Sequence, residues 1–277
     1  MNNYVAVDYQ NPHATSGLKL TLELVLNTPE EEIERNVRFN SKKYPKWMQL
    51  KQPHGRHAVM IGGGGSINDH IDDIKELQKS GATIFGLNAA SKWAHNHGIK
   101  PDHQVIIDAQ EETSTLVDHE IDSHLFASRC NPKTTGNANN LTIFHMETGT
   151  VESFLPKDRV DQGGYVLVSG DATVGNCSLC VAYTQGYREF HVFGYDSSHR
   201  EGKSHAYQQR MNNNMPTMEI EHGGKKYISS IAMSKQPESF LVHTKALEEA
   251  GCKFHVYGDG LLQAIYNENI TNPDRRS

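Results

Sequence analysis

The stretch "AVMIGGGGSINDHIDDIKELQKSG", Ala58 to Gly81, sets an apolar run, four glycines, a serine and an amphipathic run in direct succession. With His57 before it, "HAVMIG" (57–62) reads as a strand. Ile67, Ile71, Ile74 and Leu77 recur at helical spacing, and Gly81 closes the pattern. A glycine run costs conformational entropy and packs nothing, so it belongs where the chain turns tightly or a ligand approaches the main chain. Between a strand and a helix it aims backbone N–H groups and a helix N-terminus at one point. That is an anion site, most often for phosphate. No G-K-[ST] follows, so this is not a Walker loop, and no acidic residue ends the next strand as a dinucleotide site requires.

The alternation continues outward. "ATIFGLN" (82–88) reads as a strand and "AASKWAHNHG" (89–98) as a helix, and "HQVIID" (103–108), "SHLFAS" (123–128) and "LTIFHM" (141–146) as further strands. "DATVGNCSLCVAYTQGY" (171–187) and "PESFLVHTKALEEAG" (237–251) read as helices, "REFHVFGYD" (188–196) and "CKFHVYG" (252–258) as strands. Continuous apolar strands separated by helices predict a Rossmann-like α/β fold, a mostly parallel sheet with helices on both faces. Residues 1–55 read as an N-terminal extension packed on the domain of 56–277, with a polar helix behind Thr28 as N-cap and Pro29 at its first position. From about 198 to 231 the chain is polar and weakly periodic, which predicts a long lid loop.

Composition narrows the class. The 277 residues are 36% hydrophobic, enough for a sizeable core, and the net charge of −6 gives no broad footprint for nucleic acid. No run approaches a transmembrane length and the N-terminus does not read as a signal peptide, so no membrane span and a cytoplasmic location are expected. Cys177 and Cys180 form a CxxC inside a helix, and Cys130 and Cys252 stand alone, so packing explains them better than zinc. The sixteen histidines show no HExxH spacing, and no metal site is expected.

In such sheets ligands bind at the carboxyl ends of the strands. Gly62, Gly63, Gly64, Gly65 and Ser66 follow the first strand, Asn88 the second, Asp108 the third and Asp196 the strand of 188–196. An amide at Asn88 can read a ribose hydroxyl or a base edge. Each aspartate can bind ribose, a cation or an acceptor hydroxyl, or simply cap the strand end. His205, beside Lys203 and Tyr207 in the lid, is the histidine placed to act as acid, base or phosphate ligand.

Residues 58–110 and "GDATVGNCSLCVAYTQGYREFHVFGYDSSHREGKSHAY" (170–207) together resemble the MptE-like, or 6-hydroxymethylpterin diphosphokinase-like, family. Its G-G-G-P-S-L loop, G-I-x-P-D, T-V-G, G-Y-D and K-S-H-A motifs recur, with Gly65 for the proline and Ile67 for the leucine. The layout is also similar to that of bacterial CMP-sialic-acid-dependent sialyltransferases. That resemblance implies phosphate contacts at Gly62, Gly64 and Ser66, ribose or base contact at Asn88, and a donor flanked by Thr173 and Gly175. Two tyrosines that assist phosphate departure in those enzymes fall near Ser198 and His205. Their base histidine has no counterpart, the alignable position lying near Glu238 with His222 and His243 in the neighbourhood.

The combined reading is a nucleotide-dependent transferase, foremost a glycosyltransferase with a nucleotide-sugar donor. His205 would assist the departing nucleotide, and Asp108 or Asp196 would handle the acceptor hydroxyl. The acceptor could be a glycan, a protein or a modified DNA base, nucleic acid entering only in that role, and a homo-oligomer is compatible with the sequence. The runner-up is a pterin-type pyrophosphokinase using ATP and Mg²⁺, with Asp108 and Asp196 as ligands. A non-catalytic nucleotide-binding module is the third. Gly64→Val is expected to abolish nucleotide binding with the fold intact.

Overall fold

The computed structural model describes residues 4–9, 20–25, 28–147, 151–163, 165–169, 173–208 and 215–271. A hairpin of β1 (Tyr4–Tyr9) and β2 (Leu20–Val25) precedes helix α1 (Glu30–Lys43). The elements β3 (His57–Ile61), α2 (Ile71–Lys79), β4 (Thr83–Leu87), α3 (Ala90–Asn96), β5 (His103–Ile106) and β6 (His124–Ala127) come next. Then follow α4 (Pro132–Gly136), β7 (Leu141–Glu147), α5 (Lys157–Gln162), β8 (Leu167–Ser169), α6 (Val174–Thr184) and β9 (Glu189–Phe193). A second hairpin of β10 (Thr217–His222) and β11 (Lys225–Ser230) leads through α7 (Ile231–Ser234) and α8 (Gln236–Glu249) to β12 (Lys253–Val256) and α9 (Leu261–Thr271).

Eight strands form one parallel sheet in the order β12-β9-β3-β4-β5-β6-β7-β8. The chain runs from β3 outward to β8, then returns through α6 to place β9 on the other side of β3. The strand order therefore reverses between β3 and β9, and a crevice is expected at their carboxyl ends. The pleat explains why both faces are covered. Ala58 and Met60 of β3 pack into one apolar cluster with Phe85, Leu87, Phe190 and Val192. Val59 and Ile61 point the other way into a second cluster with Ile67, Ile74, Ile84 and Trp93. The mostly parallel α/β sheet expected from the sequence is observed, with β8, a strand of three residues, added at its edge where the sequence reading placed none.

Helix α1 docks through buried amides as well as through Ile33 and Val37, which pack into the apolar core. Asn40 Nδ2 donates to the carbonyls of Ser128 and Cys130 at 2.8 and 2.7 Å, and Thr135 Oγ1 donates to Asn40 Oδ1. Asn36 Nδ2 reaches the Arg129 carbonyl. These buried amides satisfy loop carbonyls after β6 that have no ladder partner. The helix begins one residue later than its sequence suggests: Pro29 occupies the N-cap position with no side-chain cap, and Thr28 lies outside it.

Two imidazoles, the buried His145 and the half-buried His103, should make the fold acid-sensitive. Burial pushes His103 down to about 4, partly opposed by Asp102, and pushes His145 to about 4, assisted by the charge of Arg159. His145 stacks edge-on against Trp47, and neither ring nitrogen has a partner among the described residues. The unfolded chain takes up protons that these folded imidazoles refuse. Their contribution is complete above the ordinary histidine pKa of about 6.5 and is lost as pH falls from there toward 4. Urea unfolding at pH 7 and pH 5 should show this loss, and His145→Phe should flatten it. An unchanged pH dependence in that variant would contradict the assignment.

Candidate active site

At the carboxyl ends of β3, β4 and β9 lies a cavity of about 710 Å³, within the range of small-molecule sites. Its walls come from the glycine loop, Leu87 and Asn88 at the end of β4, the first turn of α6, the loop after β9 and the α7–α8 junction, with Leu262 of α9.

The glycine loop is shaped by what lies against it. Gly62 N–H donates to the Phe193 carbonyl and Gly64 N–H to the Gly194 carbonyl, both at 2.8 Å, so the loop continues the β3–β9 pairing past the strand ends. Ser66 N–H and Oγ donate to Asp196 Oδ2 and Oδ1 at 2.8 and 2.5 Å. A Cβ on Gly64 would lie 2.6 Å from Asp196 Cγ and 2.8 Å from the Gly194 carbonyl oxygen. One on Gly63 would lie 2.7 Å from both His205 Cδ2 and Tyr207 Oη. The run is therefore needed for close chain crossings. Gly64→Val would break the Asp196 contact with the loop, so it should cost stability as well as binding, where the sequence alone leads to the expectation of an unperturbed fold. Among the described residues the Gly63 N–H donates to nothing, and it borders the cavity.

Helix α6 aims its N-terminus into the same space. Thr173 Oγ1 caps it by accepting from Asn176 N–H, and Thr173, Val174, Gly175 and Asn176 line the wall. Gly175 is required because the Tyr195 ring would stand 2.9 Å from a Cβ there. The Tyr195 hydroxyl holds the turn by donating to the Gly175 carbonyl. Asn88 has a left-handed backbone (φ 49°) after β4. Its main chain is tied to Val105, Ser91 and Gln104. Its buried Oδ1, by contrast, has no partner among the described residues. A buried acceptor without a donor at a cavity wall is a place for a ligand hydroxyl or amine.

The wall facing the glycine loop comes from the segment after β9. Ala206 N–H donates to the Gly63 carbonyl at 2.9 Å, which lays His205 and Tyr207 against the loop. Ser204 Oγ lies 2.9 Å from His205 Nδ1. Burial, with a smaller push from His199, lowers His205 to about 4, so its ring is neutral at pH 7. Burial also raises the Tyr207 hydroxyl. Within the stretch read as a lid loop, β10 and β11 pair around Gly223 and Gly224, both at positive φ. Two consecutive glycines able to take positive φ suit a tight hairpin turn, and the polar strands hid it. Residues 209–214 of that stretch lie outside the described residues.

The expected site residues divide accordingly. Gly62, Gly63, Gly64, Asn88, Thr173, Gly175, Asp196 and His205 line the cavity. Gly65 and Ser66 sit behind it in the turn that enters α2, Gly65 under the Arg200 side chain. Ser198 faces α9, its Oγ accepting from Leu261 N–H. Asp108, after β5, accepts from Gln110 N–H and does not reach the cavity. Asp196 is at the wall, but its carboxylate is occupied by Ser66 and by Gln263 Nε2 at 3.4 Å. Burial raises its pKa while the Ser66 bonds pull it down. His222 and His243 are engaged elsewhere, with Glu268 and the Ser239 carbonyl. The wall also contains His199, Asn176, Ser230 and Gln236, which the sequence reading did not single out. Gln236 arrives from α8, and only the folded chain brings it beside Ser197, whose Oγ donates to it.

The family described as 6-hydroxymethylpterin diphosphokinase MptE-like matches this sequence over residues 31–202. No protein of curated function matches it. Among solved structures, the MAf glycosyltransferase from Magnetospirillum magneticum AMB-1 superposes with a TM-score of 0.62 at 16% identity. The superposition covers 83% of this chain and 36% of that one, so this chain spans about a third of its length. A mammalian sialyltransferase in complex with Gal-beta-1-3GalNAc-ortho-nitrophenol aligns at 12% identity over 83% of this chain and 86% of that one, with a TM-score of 0.38. Among the described residues, no helix is long and apolar enough to cross a membrane.

Proposed function

The chain belongs to the 6-hydroxymethylpterin diphosphokinase MptE-like family, and from that premise we propose that it is a nucleotide-dependent transferase, specifically a glycosyltransferase with a nucleotide-sugar donor. One observation carries the reading. The Gly63 N–H and the Asn88 Oδ1, neither with a partner among the described residues, the α6 N-terminus and the neutral His205 ring converge on one cavity. The donor phosphate lies against Gly63 and the first turn of α6, where aligned peptide dipoles favour negative charge. Asn88 takes a ribose or base donor group. His205 faces the bridging phosphate oxygen, and its neutral ring donates its N–H to the charge that develops there as the sugar–oxygen bond breaks, while the acceptor oxygen bonds to the sugar and gives up its proton to the departing phosphate or to water. Asp196 acts at a distance by fixing the loop through Ser66.

The family description favours a second reading, transfer of a diphosphate from ATP. That chemistry relies on Mg²⁺ to neutralise the transferring phosphates, and the carboxylates here do not fit such an ion. Asp108 stands outside the cavity, and both Asp196 oxygens accept hydrogen bonds from Ser66.

A thermal-shift panel of CMP, UDP, GDP, ADP and ATP in EDTA, and again with Mg²⁺, tests the reading. One nucleotide at a hundred times its dissociation constant should stabilise the chain by about 2.7 kcal/mol in EDTA as well as in Mg²⁺. Stabilisation by ATP alone, and only with Mg²⁺, would overturn the glycosyltransferase in favour of the kinase.

A further inference from the structure

At the other end of the same strands, three side chains from β3 and β9 meet in a way that the cavity does not use. His57 and Glu189 open their strands as register partners, and His191 follows Glu189 by two residues, so all three share one sheet face. One nitrogen or oxygen from each lies within 4.8 Å of the others. His57 Nδ1 and His191 Nε2 face each other at 3.2 Å. Bound to a divalent ion by bonds of about 2.0–2.1 Å, tetrahedral ligands stand about 3.3 Å apart. Outer partners orient two of the three ligands, while the Nε2 of His57 lies 3.6 Å from Glu189 Oε2. His191 Nδ1 lies 3.0 Å from the Tyr257 hydroxyl, which leaves Nε2 to face the centre. His255, from the neighbouring strand β12, sits 3.1 Å from Glu189 Oε1 and orients that carboxylate. His191 is buried, whereas the His57 and Glu189 side chains are 40% and 31% exposed, which gives an ion a way in.

We propose that His57, Glu189 and His191 form a binding site for a divalent transition metal, zinc by preference, separate from the nucleotide cavity. Two imidazoles and one carboxylate are a nitrogen and oxygen set that suits zinc over magnesium or calcium. The two facing nitrogens share one proton, and a bound ion takes its place as that proton moves to the other nitrogen of its own ring. Water completes the coordination. The site is about five residues along the strand from Gly62, roughly 16 Å, so the ion ties the β3–β9 pair together and takes no part in transfer. Because it holds two strands in their native register, it stabilises the folded chain.

The test uses the tag-free full chain, stripped with EDTA and titrated with Co²⁺. One equivalent should give the visible absorption of tetrahedral cobalt, Zn²⁺ should displace it, and each ion alone should raise the melting temperature. In His57→Ala/His191→Ala the absorption should vanish and affinity should fall by more than about 100-fold. If that variant does not fold, the half-exposed His57→Gln should lose the absorption alone. Absence of tetrahedral absorption in the parent, or unchanged affinity in a folded variant, would overturn the site. Failure here leaves the nucleotide result in EDTA untouched, so the two proposals fall separately.

Discussion

His205→Ala should lower turnover by roughly 10²–10⁴-fold while changing donor affinity far less. The imidazole lies against Gly63, beside Ser204, in a wall that burial keeps neutral. A neutral ring cannot donate a full positive charge to the ground state, so it adds little to binding. Its value appears as the leaving phosphate gains charge, because the hydrogen bond from the ring N–H to that oxygen strengthens as the charge develops, and a negative group nearby also raises the imidazole pKa from its depressed value. The same argument fixes a titration. His205 in the free protein should titrate near 4, and its midpoint should move up when nucleotide binds. Single-turnover release of the nucleotide reads the first effect and histidine NMR the second. Near-normal turnover in His205→Ala would remove the histidine from the chemistry, and a midpoint unmoved by nucleotide would remove the phosphate from its neighbourhood.

Gly64→Val should destroy both nucleotide binding and part of the stability. Its Cβ would stand 2.6 and 2.7 Å from Asp196 Cγ and Oδ2 and 2.8 Å from the Gly194 carbonyl oxygen. The Asp196 side chain cannot withdraw without giving up its bonds to Ser66. Overpacking together with stranded buried donors costs on the order of 3 kcal/mol, a fall in melting temperature of roughly 6–12 °C for a chain of this size. Gly63→Ala separates the two effects. Its Cβ meets only the ends of the His205 and Tyr207 side chains, so nucleotide affinity should drop with the melting temperature nearly unchanged. Equal stability of Gly64→Val and the parent would show that Asp196 does not hold the loop. Unchanged affinity in Gly63→Ala would show that the ligand does not lie against it.

The sheet was legible because its strands are short, apolar runs spaced by helices. The same apolar rule left the two hairpins unread. In β10–β11 the strands are "TMEIEH" and "KKYISS", charged and mostly exposed, and only Gly223–Gly224 betrays the turn. The glycine loop announced a special site, but spacing could not tell ligand approach from chain crossing. Gly64 serves the crossing and Gly63 borders the cavity. Asp108 and Asp196 looked equivalent as strand-end aspartates. They differ because β9 adjoins β3 at the reversal of strand order while β5 lies two strands away, on the far side of β4. The histidines of 57 and 191 were invisible as a pair, since 134 residues separate them and no local motif joins ligands drawn from different strands.

The most direct measurement follows the backbone amides of Gly63 and Gly175 by ¹⁵N NMR during titration with the nucleotide selected by thermal shift and, separately, with its nucleoside. Phosphate against the glycine loop and the α6 N-terminus predicts large, saturable shifts at both amides with the nucleotide and small ones with the nucleoside. Equal shifts with both ligands, or nucleotide shifts confined to residues outside this cavity, would contradict the account.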